Sequence, residues 1–142
     1  MGCTRRTALA CCATGMVFLI PGRAASQQLN ATDARWYQAA ASMKALAESW
    51  GDQPYGAVLV LEGRLVGEGP SRVVKNQDGN AHAEREAIRD AQRRLGRATL
   101  TGAVLYSTSR PCSLCEAAAF QAGVSRMYFG RALTDAGMPQ PN

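Results

Sequence analysis

The sequence predicts an α/β fold in which helices cover both faces of a central sheet. The first observation behind this prediction is the order of the elements, which is helix, strand hairpin, helix, strand, helix and strand. The second is size, since 142 residues, 46% of them hydrophobic, suffice for one core but not for two domains of ordinary size. We therefore expect one domain with a three-layer α-β-α sandwich.

The first predicted helix runs from Asn30 to Gly51. Thr32 or Asp33 can cap its start, and Gly51 ends it. Apolar side chains recur along it at spacings of three and four residues, at Trp36, Ala40, Met43, Ala47 and Trp50. We expect this face, with both tryptophans, to pack on the sheet.

A strand hairpin follows the first helix. Tyr55 to Leu61 is a short apolar run with strand character, Glu62-Gly63 turns the chain, and Arg64 to Glu68 is a plausible antiparallel partner. Gly69 to Asn80 is polar and carries proline, asparagine and glycine, so it is predicted to be a loop.

The second half of the chain alternates two helices with two strands. We predict a helix over 81–95, a strand over 103–107, a helix over 112–122 and a strand over 126–130. Gly96 and Gly123 end the two helices. Residues 136–142 include Pro139 and Pro141 and little apolar sequence, which predicts a flexible tail after a domain over 26–135.

The first 25 residues have the composition of an export signal. A basic segment, Thr4-Arg5-Arg6, precedes the apolar run Ala8 to Ile20, whose 13 residues fall short of the roughly 20 that a membrane-spanning helix needs. The pattern resembles a twin-arginine signal, which predicts a periplasmic or extracellular protein with no membrane span after cleavage. The alternative is an N-terminal helix of a cytoplasmic protein.

Most of the net charge belongs to this leader. The whole chain carries 16 basic and 11 acidic residues, a formal charge of +5, but Arg5, Arg6 and Arg23 lie in the first 25 residues, where there is no acid. The remaining chain has a net charge of +2. This value disfavours a nucleic-acid or anionic-membrane partner.

The candidate functional residues are two cysteines, one histidine and one glutamate. Cys112 and Cys115 are the only cysteines beyond the leader, and His82 is the only histidine, two residues before Glu84. Thiolate and imidazole are zinc ligands, and three of them leave a fourth position for water. Alternatively the cysteines form a redox pair or a disulfide, and the histidine is structural.

Two motifs together resemble a known family. Ala81-His82-Ala83-Glu84 and Arg110-Pro111-Cys112-Ser113-Leu114-Cys115 resemble the His-x-Glu and Pro-Cys-x-x-Cys signature of zinc-dependent cytidine deaminase-like enzymes. The resemblance extends from about Tyr37 to about Arg131 and is greater to the guanine, cytosine and tRNA-adenosine deaminase branch than to small cytidine deaminases. It implies a central mixed sheet.

The resemblance implies a hydrolytic deaminase that releases ammonia from the exocyclic amine of a nucleobase or nucleoside. It implies one Zn²⁺ per chain, held by His82, Cys112 and Cys115, which activates water. It gives Glu84 the role of catalytic acid and base, protonating the ring nitrogen and then the departing amine. It also allows a homodimer.

The resemblance implies substrate contacts as well. Backbone groups near Ala57 and Ala83 would approach the substrate. Many relatives carry an asparagine that reads the base at the position of Ser71, and a hydroxyl lacks the paired donor and acceptor of an amide. Base recognition would then be weakened, rearranged, or taken over by Asn76 or Asn80.

Two further departures bear on specificity. Arg110 stands where relatives often have glutamate, so it faces either an anionic substrate or solvent. The chain ends soon after the last predicted strand, whereas relatives continue with another strand and one or two helices, which predicts a shortened C-terminus.

Two other functions stay open on the sequence. A tRNA adenosine deaminase-like RNA editing enzyme is allowed by the basic run Arg85 to Arg97 on the predicted helix over 81–95, although export and the charge of +2 oppose it. A non-catalytic zinc-binding or thiol-redox protein could use the same scaffold.

Overall fold

The computed structural model describes the backbone of residues 22–142 and the side chains of residues 33–142. The predicted leader therefore lies outside the described residues, except that its last four residues begin the first helix. The elements are α1 (Gly22–Ser49), β1 (Gly56–Leu61), β2 (Arg64–Pro70), α2 (Val73–Asn76), α3 (Ala83–Leu95), β3 (Val104–Ser107), α4 (Ser113–Ala122), β4 (Arg126–Phe129) and β5 (Thr134–Gly137). Within the described part, no helix is long and apolar enough to cross a membrane.

The five strands form one mixed sheet in the order β2-β1-β3-β4-β5. Strands β3 and β4 run parallel, and the other three neighbouring pairs are antiparallel. Helix α4 is the crossover that a parallel pair requires. The predicted mixed sheet is confirmed.

One face of the sheet packs on α1. Val58, Val60 and Tyr106 point to this face and form a core with Trp36 and Ala40 of the helix. Strand residues two apart share a face, so the alternate residues of the same strands must point the other way. The predicted apolar face of the first helix is thus found in this layer.

The opposite face packs on α3 and α4. Ala57, Leu59, Leu105 and Met127 of the sheet contact a set of small and apolar helix residues, which are Ala83, Ala87, Ile88, Ala91, Ala119 and Ala122. Helices therefore cover both faces, and the predicted three-layer α-β-α sandwich is confirmed.

Helix α3 lies unusually close to β2 because two glycines face it. A Cβ atom on Gly69 would stand 2.0 Å from the carbonyl oxygen of Ala83, and one on Gly67 would stand 2.3 Å from that of Ala87. Neither distance is compatible with a side chain. The start of α3 is consequently fixed against the strand by backbone contact.

The outer edge of β2 is also tied to α3. The N–H of Glu68 donates to the carboxylate of Asp90, with an N···O distance of 2.9 Å. Arg94 pairs with both Glu68 and Asp90. The edge strand is thereby held by side chains of the helix that crosses it.

Several predicted element limits in the first half differ from the structure, and β2, for example, runs two residues beyond its predicted end. Helix α1 begins at Gly22, earlier than the predicted Asn30. A single helical turn, α2, occupies part of the segment predicted as a loop over 69–80. The N–H of Lys75 in this turn donates to the carboxylate of Asp52. Because Asp52 is distant in sequence, no local pattern predicts the turn.

The predicted limit between domain and tail, at residue 135, falls inside β5. This strand is only four residues long and has no apolar pattern, and it is held by its pairing with β4 and by an ion pair between Arg126 and Asp135. Pro139 is buried, and the N–H of Gln140 donates to Glu116 of α4 at 3.2 Å.

Candidate active site

Two helices begin at candidate ligands. His82 is the N-cap residue of α3 and Cys112 is the N-cap residue of α4, and both have extended backbone. Their carbonyl groups accept the first helical hydrogen bonds, from Glu86 and Glu116 at 2.9 Å each. Neither side chain caps its own helix. The imidazole and the thiol are therefore available to a shared site.

The three candidate ligand atoms meet at one point. His82 Nδ1 lies 3.4 Å from Cys115 Sγ and 3.7 Å from Cys112 Sγ. All three atoms lie within 4.8 Å of one another. In a tetrahedral zinc site, the usual bond lengths place a nitrogen and a sulfur ligand about 3.6 Å apart. The arrangement fits the predicted three-ligand zinc site.

The two cysteines differ in exposure. Cys112 is exposed, Cys115 is fully buried, and both are free thiols. Burial raises the pKa of the Cys115 thiol, and the nearby charge of Glu84 raises it further. A buried thiol of this kind becomes a thiolate when a cation binds, so zinc binding at this site releases protons.

Glu84 lies in the first turn of α3 beside the ligands. It is only 5% exposed. Burial raises the pKa of Glu84 above its usual value, although the charge of His82 opposes the shift. A carboxyl group with a raised pKa can both accept and donate a proton near neutral pH. We call His82, Glu84, Cys112 and Cys115 the metal corner.

A pocket of about 250 Å³ opens beside the metal corner. Its lining comes from the segment before β1, the start of α3 and the segment after β3, namely Gln53, Tyr55, His82, Ala83, Glu84, Ser109, Arg110 and Cys112. The predicted catalytic glutamate therefore shares a cavity with two of the three predicted ligands. The third, Cys115, is fully buried and does not line the cavity.

The predicted substrate contacts are divided by the structure. Ala83 lines the pocket, whereas Ala57 and Ser71 are buried and are not among the lining residues. The Ser71 hydroxyl instead donates to Asp52 Oδ1 at 3.0 Å. A direct contact of Ser71 or Ala57 with substrate stays a prediction.

Four of the lining residues lie outside the metal corner and its helix: Arg110, which the sequence motif includes, and Gln53, Tyr55 and Ser109, which no sequence motif marks. We call these four residues the pocket rim. They come together because β1 and β3 are antiparallel, which places the start of one beside the end of the other. Gly56 and Thr108 join the two segments, and the Thr108 N–H donates to the Gly56 carbonyl at 2.9 Å. Knowledge of the pairing between β1 and β3 would therefore have been needed to predict that these residues line the pocket.

Arg110 and Tyr55 are the exposed members of the rim. Tyr55 is 42% exposed, so part of its ring is open to a ligand. Arg110 lines the pocket and lies 6.0 Å from the ring centre of Phe129. The structure therefore places both at the pocket entrance.

Comparison with known proteins agrees with this site. Residues 30–131 match the family described as the cytidine and deoxycytidylate deaminase zinc-binding region. The chain belongs to this family. The match includes every residue of the metal corner and of the pocket rim.

Characterised deaminases are among the relatives of this family member. It is 34% identical over 103 residues to a tRNA-specific adenosine deaminase of Buchnera aphidicola, an alignment that covers 72% of this chain and 68% of that one. It is 37% identical over 83 residues to guanine deaminase of Bacillus subtilis, covering 58% and 53%. The chain thus spans only part of the length of each relative.

Solved structures of this family share the fold. A structure from a study of A-to-I editing by tRNA:A34 deaminases superposes with a TM-score of 0.65 at 38% identity, covering 68% of this chain and 70% of that one. The predicted family, fold and zinc-dependent deaminase class are therefore confirmed.

Proposed function

We propose that this chain deaminates a free nucleobase or nucleoside by hydrolysis and releases ammonia. One observation carries the proposal: a buried glutamate lines one pocket together with two members of a three-residue cluster of zinc-type ligands. This combination supplies a metal-binding site and a proton carrier at the same place. The guanine deaminase named above is, by its name, a deaminase of a nucleobase, which supports the same class.

The residues of the metal corner have two roles in the proposed reaction, metal binding and proton transfer. His82, Cys112 and Cys115 would hold a zinc ion, which when bound supplies a Lewis acid that makes water reactive near neutral pH. Glu84 accepts one proton from the water as its oxygen bonds to the amine-bearing carbon, and gives this proton to the ring nitrogen. It then accepts the second proton from the new hydroxyl group and gives it to the amine, so a carbonyl forms, the carbon–nitrogen bond breaks and ammonia leaves.

The pocket rim orients the substrate against this corner. The exposed ring of Tyr55 offers an aromatic face on which a base can stack. Burial of Glu84 behind the rim limits its contact with bulk water, which helps to keep its pKa raised. Binding and proton transfer therefore take place on adjoining walls of one cavity.

A deamination screen tests the proposal. Zinc-loaded protein is incubated with guanine, cytosine, adenine and their nucleosides, and ammonia release is measured. We expect turnover of at least one compound, and a kcat about 10³-fold lower after Glu84→Gln. No ammonia from the whole panel, with zinc bound, would contradict the proposal.

A second candidate, RNA editing, is favoured by the similarity to tRNA-specific adenosine deaminases. The charge of only +2 outside the first 25 residues opposes it, since nucleic-acid binding depends on many contacts between basic side chains and phosphates. An anticodon stem-loop containing adenosine separates the two candidates. Inosine formation with binding that weakens steeply with salt would favour editing over a free base or nucleoside.

We also propose that the chain is exported as a folded protein. The Arg5-Arg6 pair and the apolar run after it support this proposal. Export before the cysteines meet an oxidising compartment would protect their thiols for zinc. Replacing Arg5-Arg6 with Lys-Lys should block export, and unchanged export would refute the route.

A further inference from the structure

The pocket contains one carboxamide. Among the described residues that line it, only Gln53 ends in this group. A carboxamide offers a donor and an acceptor side by side, which suits the edge of a nucleobase. The Gln53 amide makes no hydrogen bond with another residue in the described part of the chain, so both of its polar atoms are available to a ligand.

The backbone of Gln53 is held on both sides. Its N–H donates to Asp52 Oδ1 at 2.8 Å, and its carbonyl accepts the N–H of Tyr55 at 2.8 Å. These two bonds leave little freedom to the main chain at this position. The side chain therefore starts from a fixed point on the pocket wall.

Asp52 connects this point to the rest of the fold. The residue is only 8% exposed, and its carboxylate also accepts the Ser71 hydroxyl at 3.0 Å and the Lys75 N–H at 2.8 Å. Burial raises the pKa of Asp52, and the hydrogen bonds that its carboxylate accepts lower it by more. The carboxylate is therefore charged at neutral pH and holds three segments together.

The asparagines considered from the sequence lie elsewhere. Asn76 lines a separate charged cleft beside α3, and the side-chain oxygen of Asn80 accepts a hydrogen bond from Arg85 at 3.3 Å. Ser71 is fully buried against Asp52. None of the three lines the pocket, which leaves Gln53 as the carboxamide in position.

We propose that Gln53 determines base specificity by pairing with the edge of the substrate, and that Ser71 acts through Asp52 as a positioning residue. The substrate class is a base on which a ring N–H or amine lies next to a carbonyl or ring nitrogen. This inference rests on the proposed function, because it assumes that the pocket binds a nucleobase.

Equilibrium binding tests the inference without turnover. The probes are hypoxanthine, xanthine and uracil, which carry neighbouring N–H and carbonyl groups, and pyrimidine, which carries ring nitrogens only. Gln53→Leu should weaken the tightest of the first three by about 10-fold to 100-fold, since one polar edge loses its partner. Pyrimidine binding and zinc content should not change.

Two further variants complete the test. Gln38→Leu makes the same replacement on the exposed surface of α1 and should leave all four affinities unchanged. Ser71→Ala should weaken the same probe by less than Gln53→Leu does, because it removes only one of the bonds to Asp52. Compared with Gln53→Leu, Gln53→Glu should restore the binding affinity only for probes that can donate an N–H to a carboxylate.

The outcomes distinguish a failure of the inference about Gln53 from a failure of the proposed function. If Gln53→Leu binds hypoxanthine, xanthine and uracil as tightly as the wild type does, the inference is overturned. It is also overturned if the wild-type protein binds none of these three compounds. If the wild type releases ammonia and Gln53→Leu keeps the same KM and substrate order, the function stands and the inference fails. Absence of ammonia from every compound would instead refute the function.

Discussion

The metal corner and the pocket rim lie side by side but are built from different structure. All four residues of the corner lie at helix starts: His82 and Glu84 on α3, Cys112 and Cys115 on α4. The rim comes from connecting segments, which meet because β1 and β3 are antiparallel. Burial differs as well, since Glu84 and Cys115 are buried whereas Tyr55 and Arg110 are exposed.

Because of this difference, we expect the metal corner to carry out the reaction and the pocket rim to select the substrate. Ligand geometry depends on spacings of two and three residues at the ends of regular helices, so changes there should abolish chemistry. The rim depends on loops that can change residue type without disturbing the sheet. Changes there should alter substrate affinity and leave the zinc site intact.

The largest effect is expected from removing the proton carrier of the corner. Glu84→Gln keeps the shape of the side chain but cannot transfer protons, so kcat should fall by about 10³-fold. Ammonia release measures the loss, and zinc content should be unchanged. The control is Glu86→Gln, two residues along α3 in an ion pair with Arg89. Undiminished turnover of the Glu84 variant would favour a non-catalytic zinc protein.

Removing a ligand should release the metal. Cys115→Ser replaces a buried sulfur that lies 3.4 Å from His82 Nδ1. Zinc affinity should drop by more than about 100-fold, beyond the range for residues that only support a ligand. Competition with a chelator measures it, with Ser113→Ala, between the two cysteines, as the matched control. Equal zinc affinity in both variants would exclude Cys115 as a ligand.

The scaffold behind the corner should also be sensitive. Gly69→Ala places a methyl group against the Ala83 carbonyl, so α3 must move away from β2 at a cost of about 1–3 kcal/mol in the free energy of unfolding. Denaturant titration measures this change. Gly79→Ala meets nothing within 4 Å and should be tolerated. Equal stability of the two variants would show that β2 and α3 separate freely.

A smaller effect, confined to binding, is expected at the rim. Tyr55→Ala should raise KM by about 10-fold, the cost of one lost stacking contact, while kcat and zinc content stay constant. Tyr55→Phe keeps the ring and should behave as the wild type. If kcat falls instead and KM does not change, the rim and the corner are not separable in the way proposed.

The metal corner could be predicted from sequence because its information is local. A histidine two residues before a glutamate, and two cysteines three apart after Pro111, each lie at a helix start that apolar periodicity also marks. Only the meeting of the two helices needed the fold. The three layers followed in the same way, from the order and period of the elements.

The rest depends on contacts between distant segments. Gln53 enters the pocket only because β1 pairs with β3, and Ser71 turns to Asp52, nineteen residues earlier. Strand β5 has no apolar alternation and exists through its pairing with β4. No window of neighbouring residues contains these facts, which is why the substrate contacts were harder to predict than the ligands.

The bond between Glu68 and Asp90 has a consequence for the behaviour of the protein at high concentration. A sheet edge with open N–H groups is a template on which another chain can add a strand and begin an aggregate. Here the Glu68 N–H already donates to a carboxylate of α3, and Arg94 covers the same edge. An incoming strand would have to displace Asp90 before it could pair at this position, so the helix that begins at His82 also protects the edge of β2 against the growth of a fibre.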